Sequence, residues 1–329
     1  LETCSFHNVS ATDSRRNHFS GIQSHITTPG TITNILVFMS AQRMSSMNSS
    51  FGIITKNQAV CNTIMCLIFL LYVFPMQLSD VAFLIKYSHF LGLAAMSIYE
   101  ISNLLHLLIA LNRFCAIFIP SHYEKIFSKF GTNIMIQVIW VVALIMCSIF
   151  YEFIGCYFSY DDISWTFGFL GTEKCTRLTW YTDFALNTVL IVLTLFINLL
   201  TAFKAGRNSR LLMNAAGIKM SQRQKQRELG FIKQTFFQGI SMFAGQFTYY
   251  LIAPLFSNPI LLFLISSLWA FMHAVEGGII FISNKGMHEV LKKGKSMVRV
   301  LKEYKFTFFQ NQRLLFSCQI DTYPYSIHT

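Results

Sequence analysis

The sequence predicts an all-α membrane protein: a bundle of seven transmembrane helices whose first helix is short or incomplete. Hydrophobic residues make up 53% of the chain and charged residues only 12%, about half the charged share of a soluble domain. Mostly apolar segments of about 20 residues, the length that crosses a bilayer, recur along the chain. The basic residues fall in the gaps between these segments, which is typical of cytoplasmic loops.

Six of the spans are clear, and the first is partial. The clear spans lie near residues 57–78, 89–118, 132–154, 180–204, 231–254 and 260–283. The first span, near residues 30–41, supplies only half of a crossing, because the preceding residues 17–29 are polar. We therefore expect residues 1–29 to be an extracellular, unstructured segment before a membrane domain of residues 30–284. The first helix is then either short and tilted or missing part of its sequence.

The charge distribution predicts the orientation of the bundle. The net charge of +11 comes mainly from the gap between the fifth and sixth spans and from residues 285–329, so both should be cytoplasmic. The tail begins with an amphipathic basic helix, which we expect on the inner leaflet. Asn8 opens an Asn8-Val-Ser10 sequon, so a glycan there fits an external amino terminus. The lipid bilayer explains the basic residues better than nucleic acid does.

Polar side chains recur at helical spacing in three of the spans. In the third span Tyr99, Asn103, His106 and Arg113 share one helix face with Ala110. Such groups avoid lipid and face other helices or a water-filled cavity. The pattern fits either a buried hydrogen-bonded network or a ligand pocket, ion path or proton path. The pocket candidates are Glu100, Asn103, His106, Asp183, Asn187, His273 and Glu276.

Two cysteines flank the loop after the fourth span, on the side expected to be oxidising. A disulfide between Cys156 and Cys175 would hold this loop over the bundle and stabilise the fold by roughly 3 kcal/mol. We find no nucleophile elbow, no HExxH motif and no metal-ligand spacing in the outer loops. We therefore expect no enzymatic activity, no metal and no cofactor.

Several segments resemble the nematode serpentine chemoreceptors of class x (Srx). They are YEISNLLHLLIALNRFCAIFIP (residues 99–120), SFGIITKNQAVCNTI (50–64) and WAFMHAVEGGIIFISNKGMHEVL (269–291). The resemblance implies a rhodopsin-like G-protein-coupled receptor with a chemosensory role. It also implies a small chemical ligand, a heterotrimeric G protein as partner and the plasma membrane of sensory neurons as location.

The resemblance assigns a coupling role to Asn112, Arg113 and Phe114. They stand where rhodopsin-like receptors carry an acidic-Arg-aromatic triplet at the inner end of the third helix. Asn112 replaces the acidic residue, so Arg113 lacks the neighbouring carboxylate that holds this arginine in the inactive state. The alternative is an arginine that only extends from a helix end into the lipid headgroups.

The chain is therefore predicted to be an orphan chemosensory receptor. The rival interpretation is a transporter or channel. We find neither an internal repeat nor a pair of Gly- or Pro-broken half-spans, which are the features that mark transporter sites.

Overall fold

The computed structural model describes residues 3–79, 81–161, 165–216, 236–256 and 258–293. Within these ranges seven long helices follow one another, and a short helix comes after them. They are α1 (Thr3–Arg43), α2 (Ser50–Leu78), α3 (Ser88–Phe118), α4 (Lys129–Phe153), α5 (Glu173–Thr179, Trp180–Ala185 and Leu186–Ala216, continuous), α6 (236–255), α7 (Pro259–Ser283) and α8 (Lys285–Lys293). Short helical turns occupy Ser45–Met47, Ala82–Lys86 and Pro120–Ile126.

The prediction of a short first helix and an unstructured residue 1–29 segment was wrong. Helix α1 begins at Thr3 and continues through Pro29 to Arg43. Polar residues within the two turns before Pro29, such as Gln23 and Thr27, are buried against the bundle. Their polarity lowered the apolar signal of this segment, although side chains that face other helices need not be apolar.

Helix α1 packs against α2 and α7, and α3 packs against α2, α4 and α5. The α1–α7 contact is close at Gly30, where a Cβ would lie 2.4 Å from the Cβ of Ala274. A larger residue at Gly30 would therefore push the two helices apart. Within the described residues, α2, α3, α4, α5 and α7 are long and apolar enough to cross a membrane.

Three of the helices begin at a side chain that caps the first backbone N–H groups. Ser128 accepts a hydrogen bond from the Gly131 amide at the start of α4, and Asn258 accepts one from Ile260 at the start of α7. Thr172 does the same for Cys175 in α5. Short polar residues of this kind are the preferred caps because they satisfy donors that have no partner within the helix.

Between α4 and α5 the chain forms an antiparallel hairpin of β1 (Phe158–Asp161) and β2 (Thr166–Phe169). Gly155 precedes it with a φ of +81°, a conformation that glycine adopts at no steric cost. The register pairs Phe158 with Phe169 and Tyr160 with Phe167. The hairpin therefore presents several aromatic rings together at this end of the bundle.

Helices α2, α4, α5 and α6 each contain a π-helical segment on their hairpin side. The segments are Phe69–Val73, Ser148–Phe153, Trp180–Ala185 and Thr248–Ile252. A π turn shifts the phase of the side chains that follow and is frequent at functional sites. The irregular parts of these helices thus gather at the end that the hairpin covers.

A compact unit ends at Asn284, and a second unit begins at Lys285. Of the second unit, the structure describes α8, with the sequence KGMHEVLKK. The remaining tail and most of the basic loop between α5 and α6 lie outside the described residues.

Candidate functional site

A cavity of about 50 Å³ lies beneath the hairpin, among α3, α5, α6 and α7. Its walls are largely aromatic and include Tyr99, Phe158, Phe167, Tyr249 and Trp269. This volume is below the range of about 300–1,000 Å³ that is usual for small-molecule sites. The enclosed space therefore admits a group of the size of a water molecule or an ammonium group, and the rest of a ligand requires the lining side chains to move apart.

The hairpin is fastened over this cavity by covalent and polar contacts. A disulfide joins Cys156, just before β1, to Cys175 in the first turns of α5, which confirms the predicted pairing. On the opposite side, Gln77 of α2 donates a hydrogen bond to the Trp165 carbonyl at 2.9 Å. Gly92 of α3 lets the hairpin approach, since a Cβ there would lie 1.7 Å from the Phe158 carbonyl oxygen.

Trp269 of α7 forms the floor of this aromatic group. Its ring lies 5.5 Å from that of Phe158, 5.6 Å from Tyr99 and 5.7 Å from Phe69, each in an edge-to-face arrangement. Edge-to-face aromatic pairs contribute about 0.5–1.5 kcal/mol beyond the burial of their area. Trp269 therefore couples the hairpin, α2 and α3 to α7.

A first polar group adjoins the cavity; we call Glu100, Asn103, Asp183, Asn187 and Tyr250 the Asn187 cluster. The Asn187 amide donates to Glu100 at 2.6 Å and to Asp183 at 3.0 Å. The Asn103 side-chain amide donates to the side-chain oxygen of Asn187, Oδ1, at 2.9 Å. The Tyr250 hydroxyl donates to the second oxygen of Asp183. Two carboxyl groups from α3 and α5 thus share one amide.

Helix α6 supports the same cluster through Gln246, whose amide donates to the backbone carbonyl of Asp183 at 3.0 Å. Asp183 lies within the π-helical segment Trp180–Ala185. It lines the cavity, while Glu100 lies behind it. Glu100 is 6% and Asp183 5% exposed. Neither forms an ion pair with a basic side chain in the described ranges.

A second polar group lies farther along α3; we call Gln58, Ser102, His106, Gln238 and Glu276 the Glu276 cluster. His106 lies 2.5 Å from the Glu276 carboxylate. Gln58 of α2 and Gln238 of α6 donate to the same carboxylate oxygen at 3.0 Å and 2.8 Å. Gln58 also contacts the Ser102 hydroxyl at 2.6 Å. Four helices therefore converge on one carboxylate.

His273, one turn from Glu276, has different partners. Its Nδ1 contacts the Asn62 side chain of α2 at 2.8 Å. Its backbone carbonyl accepts a hydrogen bond from Asn34 of α1 at 3.1 Å. His273 thus connects α1, α2 and α7 beside the Glu276 cluster.

At the other end of α3, the Asn112-Arg113-Phe114 triplet contacts three different neighbours. Asn112 is fully buried and donates to the Tyr123 hydroxyl at 3.2 Å. The Arg113 guanidinium lies over the Phe51 ring of α2, 3.7 Å from its centroid. Phe114 stacks on Phe118. Asn112 therefore stabilises the connection between α3 and α4, and the Phe51 ring packs against the Arg113 guanidinium.

A family model described as "Serpentine type 7TM GPCR chemoreceptor Srx" matches residues 25–284. The chain belongs to this family. Two Caenorhabditis elegans proteins are similar to this Srx chain. One, "Serpentine receptor class X 45", is 26% identical over 285 residues, which are 80% of this chain and 77% of that protein. The other, "Serpentine receptor class X-43", is 24% identical over 207 residues, 62% of this chain and 63% of that protein.

The fold is that of a solved receptor. Squid rhodopsin superposes with a TM-score of 0.72 over 87% of each chain, at 12% sequence identity. This confirms the rhodopsin-like seven-helix bundle. The Srx chain is a multi-pass membrane protein, and its family and fold are those of G-protein-coupled receptors and not of enzymes.

The structure divides the seven predicted pocket residues between the two clusters. Glu100, Asn103, Asp183 and Asn187 meet in the first, and His106 and Glu276 in the second, with His273 beside it. Asp183 alone among the seven lines the cavity. No group of three or more potential metal ligands is present in the described part of the chain. Asn8 lies on α1, and its side chain is outside the described residues.

The partners that α2 and α6 supply were not predicted from the sequence. Gln58 and Asn62 are four residues apart in α2, and Gln238 and Gln246 are eight apart in α6. Amide side chains at helical spacing in apolar spans form the same pattern as the polar face of α3. Tyr249 and Tyr250 were also missed, because aromatic residues near a helix end are equally typical of a membrane interface.

Proposed function

We propose that this Srx-family chain is a chemosensory receptor that binds a small molecule in the cavity under the hairpin and activates a heterotrimeric G protein. The course of α3 is the observation that carries this proposal. Its Tyr99 lines the cavity, its next two turns enter both polar clusters, and its Arg113 lies at the opposite end. One helix therefore contacts the cavity, the internal polar groups and the arginine.

The proposed orientation has the hairpin outside the cell and Arg113 in the cytoplasm. A disulfide persists on the oxidising side of a membrane, and Cys156 and Cys175 lie at the hairpin end. Basic residues gather at the Arg113 end, including Lys125 and Lys129, in agreement with the positive-inside rule. The plasma membrane of sensory neurons is the location that the family suggests.

Helices α6 and α7 offer a route from the cavity to the interior. Trp269 and Glu276 lie seven residues, about two turns, apart on α7. On α6, Gln246 contacts Asp183 and Gln238 contacts Glu276. A ligand that prefers a different position of these helices would shift the population towards that position. Both clusters would have to rearrange together, because α3 and α6 contribute to each.

The Arg113–Phe51 contact replaces the acidic partner that the sequence lacks. An arginine over an aromatic face gains about 0.5–2 kcal/mol, depending on how far it is desolvated. In this proposal the contact joins α2 to α3 in the inactive state. The G protein then binds to Arg113 once α3 and α6 have moved apart.

The test is nucleotide exchange on purified G proteins with the receptor in lipid nanodiscs. We expect the receptor to increase exchange above the rate of the G protein alone, and Arg113→Ala to return it to that rate. Arg177→Ala removes an exposed arginine at the hairpin end and should leave exchange unchanged. Equal exchange with wild type and Arg113→Ala, at equal folded protein, would contradict the proposal. Solute flux through receptor-containing vesicles would favour the transporter alternative instead.

The orientation has its own test. In a eukaryotic host we expect a glycan on Asn8, detected as a gel shift that is lost in Asn8→Gln. The second sequon, Asn48-Ser-Ser50, lies between α1 and α2 on the proposed cytoplasmic side, so Asn48→Gln is the matched control and should change nothing. A shift that depends on Asn48 would reverse the proposed orientation.

A further inference from the structure

The Asn187 cluster carries two buried carboxyl groups beside an aromatic cavity. We propose that the cavity binds a small organic cation, an amine with an apolar or aromatic body, whose ammonium group contacts Asp183. The inference rests on the proposed function, because it takes the cavity to be the ligand site. It adds the chemical class of the ligand.

The charge of the cluster is the first argument. Glu100 and Asp183 are almost fully buried and are bridged by one neutral amide, that of Asn187. Within the described ranges, the buried carboxylate that forms an ion pair is that of Glu276, which pairs with His106 in the other cluster. A buried carboxylate is costly unless it is paired. A cationic ligand would supply the charge that the neighbouring helices do not.

The hydrogen-bonding capacity of Asp183 is the second argument. One of its oxygens accepts from Asn187 and the other accepts from Tyr250. An ionised carboxylate has about four acceptor positions, so each oxygen can accept another hydrogen bond. Because Asp183 lines the cavity, an ammonium group inside it could donate there without displacing either existing partner.

The aromatic walls of the cavity are the third argument. Tyr99, Phe158, Tyr249, Tyr250 and Trp269 line the same cavity as Asp183. The faces of tryptophan and tyrosine rings attract cations within about 6 Å of the centroid. The apolar part of an amine would pack against the same rings once they move apart. An anionic ligand would meet repulsion from the Asp183 carboxylate, and a neutral one would leave its charge uncompensated.

The experiment measures thermal unfolding of the purified full-length receptor with pairs of amines and their neutral counterparts. The pairs are benzylamine and benzyl alcohol, phenethylamine and phenethyl alcohol, and cyclohexylamine and cyclohexanol. Each amine is protonated at neutral pH and has nearly the shape of its alcohol. A ligand that binds only the folded state raises the unfolding midpoint with concentration. We expect at least one amine to do so and its alcohol to have no effect.

Asp183→Asn should weaken the binding of that amine by about 30-fold or more, since removal of one partner of a buried charge pair has effects of this size. Glu173→Gln removes an exposed carboxylate on the same helix, 92% exposed, and should leave binding unchanged. The proposal is overturned if alcohols bind as well as amines, if no amine binds, or if Asp183→Asn keeps wild-type amine binding. The wild-type comparison of amine with alcohol decides the question even if Asp183→Asn does not fold.

Failure of this inference is distinguishable from failure of the proposed function. Nucleotide exchange evoked by neutral or acidic compounds alone would refute the amine and leave the receptor function intact. Amine binding that requires Asp183 but never changes exchange, in a chain with no exchange activity of its own, would support the ligand class and contradict the signalling role.

Discussion

The Asn187 cluster and the Glu276 cluster both contain residues of α3 and α6, yet their charges are balanced differently. In the Glu276 cluster one carboxylate meets His106 and two glutamine amides from separate helices. In the Asn187 cluster two carboxyl groups share one amide and adjoin a cavity. In our proposal the protein itself completes the Glu276 cluster, whereas a cation that enters the cavity completes the Asn187 cluster.

The largest expected effect comes from breaking the complete cluster. His106→Leu would leave the Glu276 carboxylate buried without its partner, and an uncompensated buried charge costs about 3–5 kcal/mol. The unfolding midpoint in detergent should fall accordingly. His122→Leu is the control, because His122 is exposed on the turn Pro120–Ile126. A His106→Leu protein as stable as wild type would show that Glu276 does not need this pair.

The next effect concerns the hairpin, which covers the cavity beside the Asn187 cluster. Replacing both Cys156 and Cys175 by serine removes the disulfide, and the fold should lose about 3 kcal/mol. Unfolding under non-reducing conditions should therefore begin at a lower temperature. Cys115→Ser changes a free cysteine and should have little effect. If reducing agent leaves wild type unchanged, the hairpin does not depend on the disulfide.

A smaller effect is expected from the amide that holds the two carboxyl groups. Asn187→Ala removes three side-chain hydrogen bonds between or within helices, and each contributes about 0.6 kcal/mol in a membrane protein. The loss should be about 2 kcal/mol. Asn57→Ala is the matched control, since the hydrogen bond of the Asn57 side chain within the described ranges is to the backbone of its own helix. Equal losses in both variants would argue against a special role for Asn187.

The architecture could be predicted from sequence because bilayer length and charge asymmetry act on whole segments. Six spans stood out by apolarity, and Cys156 and Cys175 by their place in an outer loop. The first helix did not, because the length of α1 depends on polar residues such as Gln23 and Thr27 that are buried against neighbouring helices. A hydropathy pattern cannot distinguish such residues from a solvated loop.

The site could be predicted only in part, for a related reason. Helical spacing showed that Asn103 and His106 share a face of α3 but not which helix each one contacts. Asn103 contacts Asn187 on α5, while His106, one turn away, contacts Glu276 on α7. Partner choice depends on helix rotation and crossing angles, which packing sets and the linear spacing does not contain. The contacts that the glutamines of α2 and α6 make with Glu276 could be identified from the structure but not from the sequence.

The most direct test of the central claim compares the unfolding midpoints of Asp183→Asn and Glu276→Gln without ligand. Each substitution neutralises one buried carboxyl group and keeps its shape. Glu276→Gln should lower the midpoint, because it removes the charge that His106 pairs with. Asp183→Asn should leave the midpoint unchanged or raise it, because like charges held close together disfavour ionisation of both. Equal decreases in the two variants would contradict the distinction between a cluster completed by the protein and one completed by a cation.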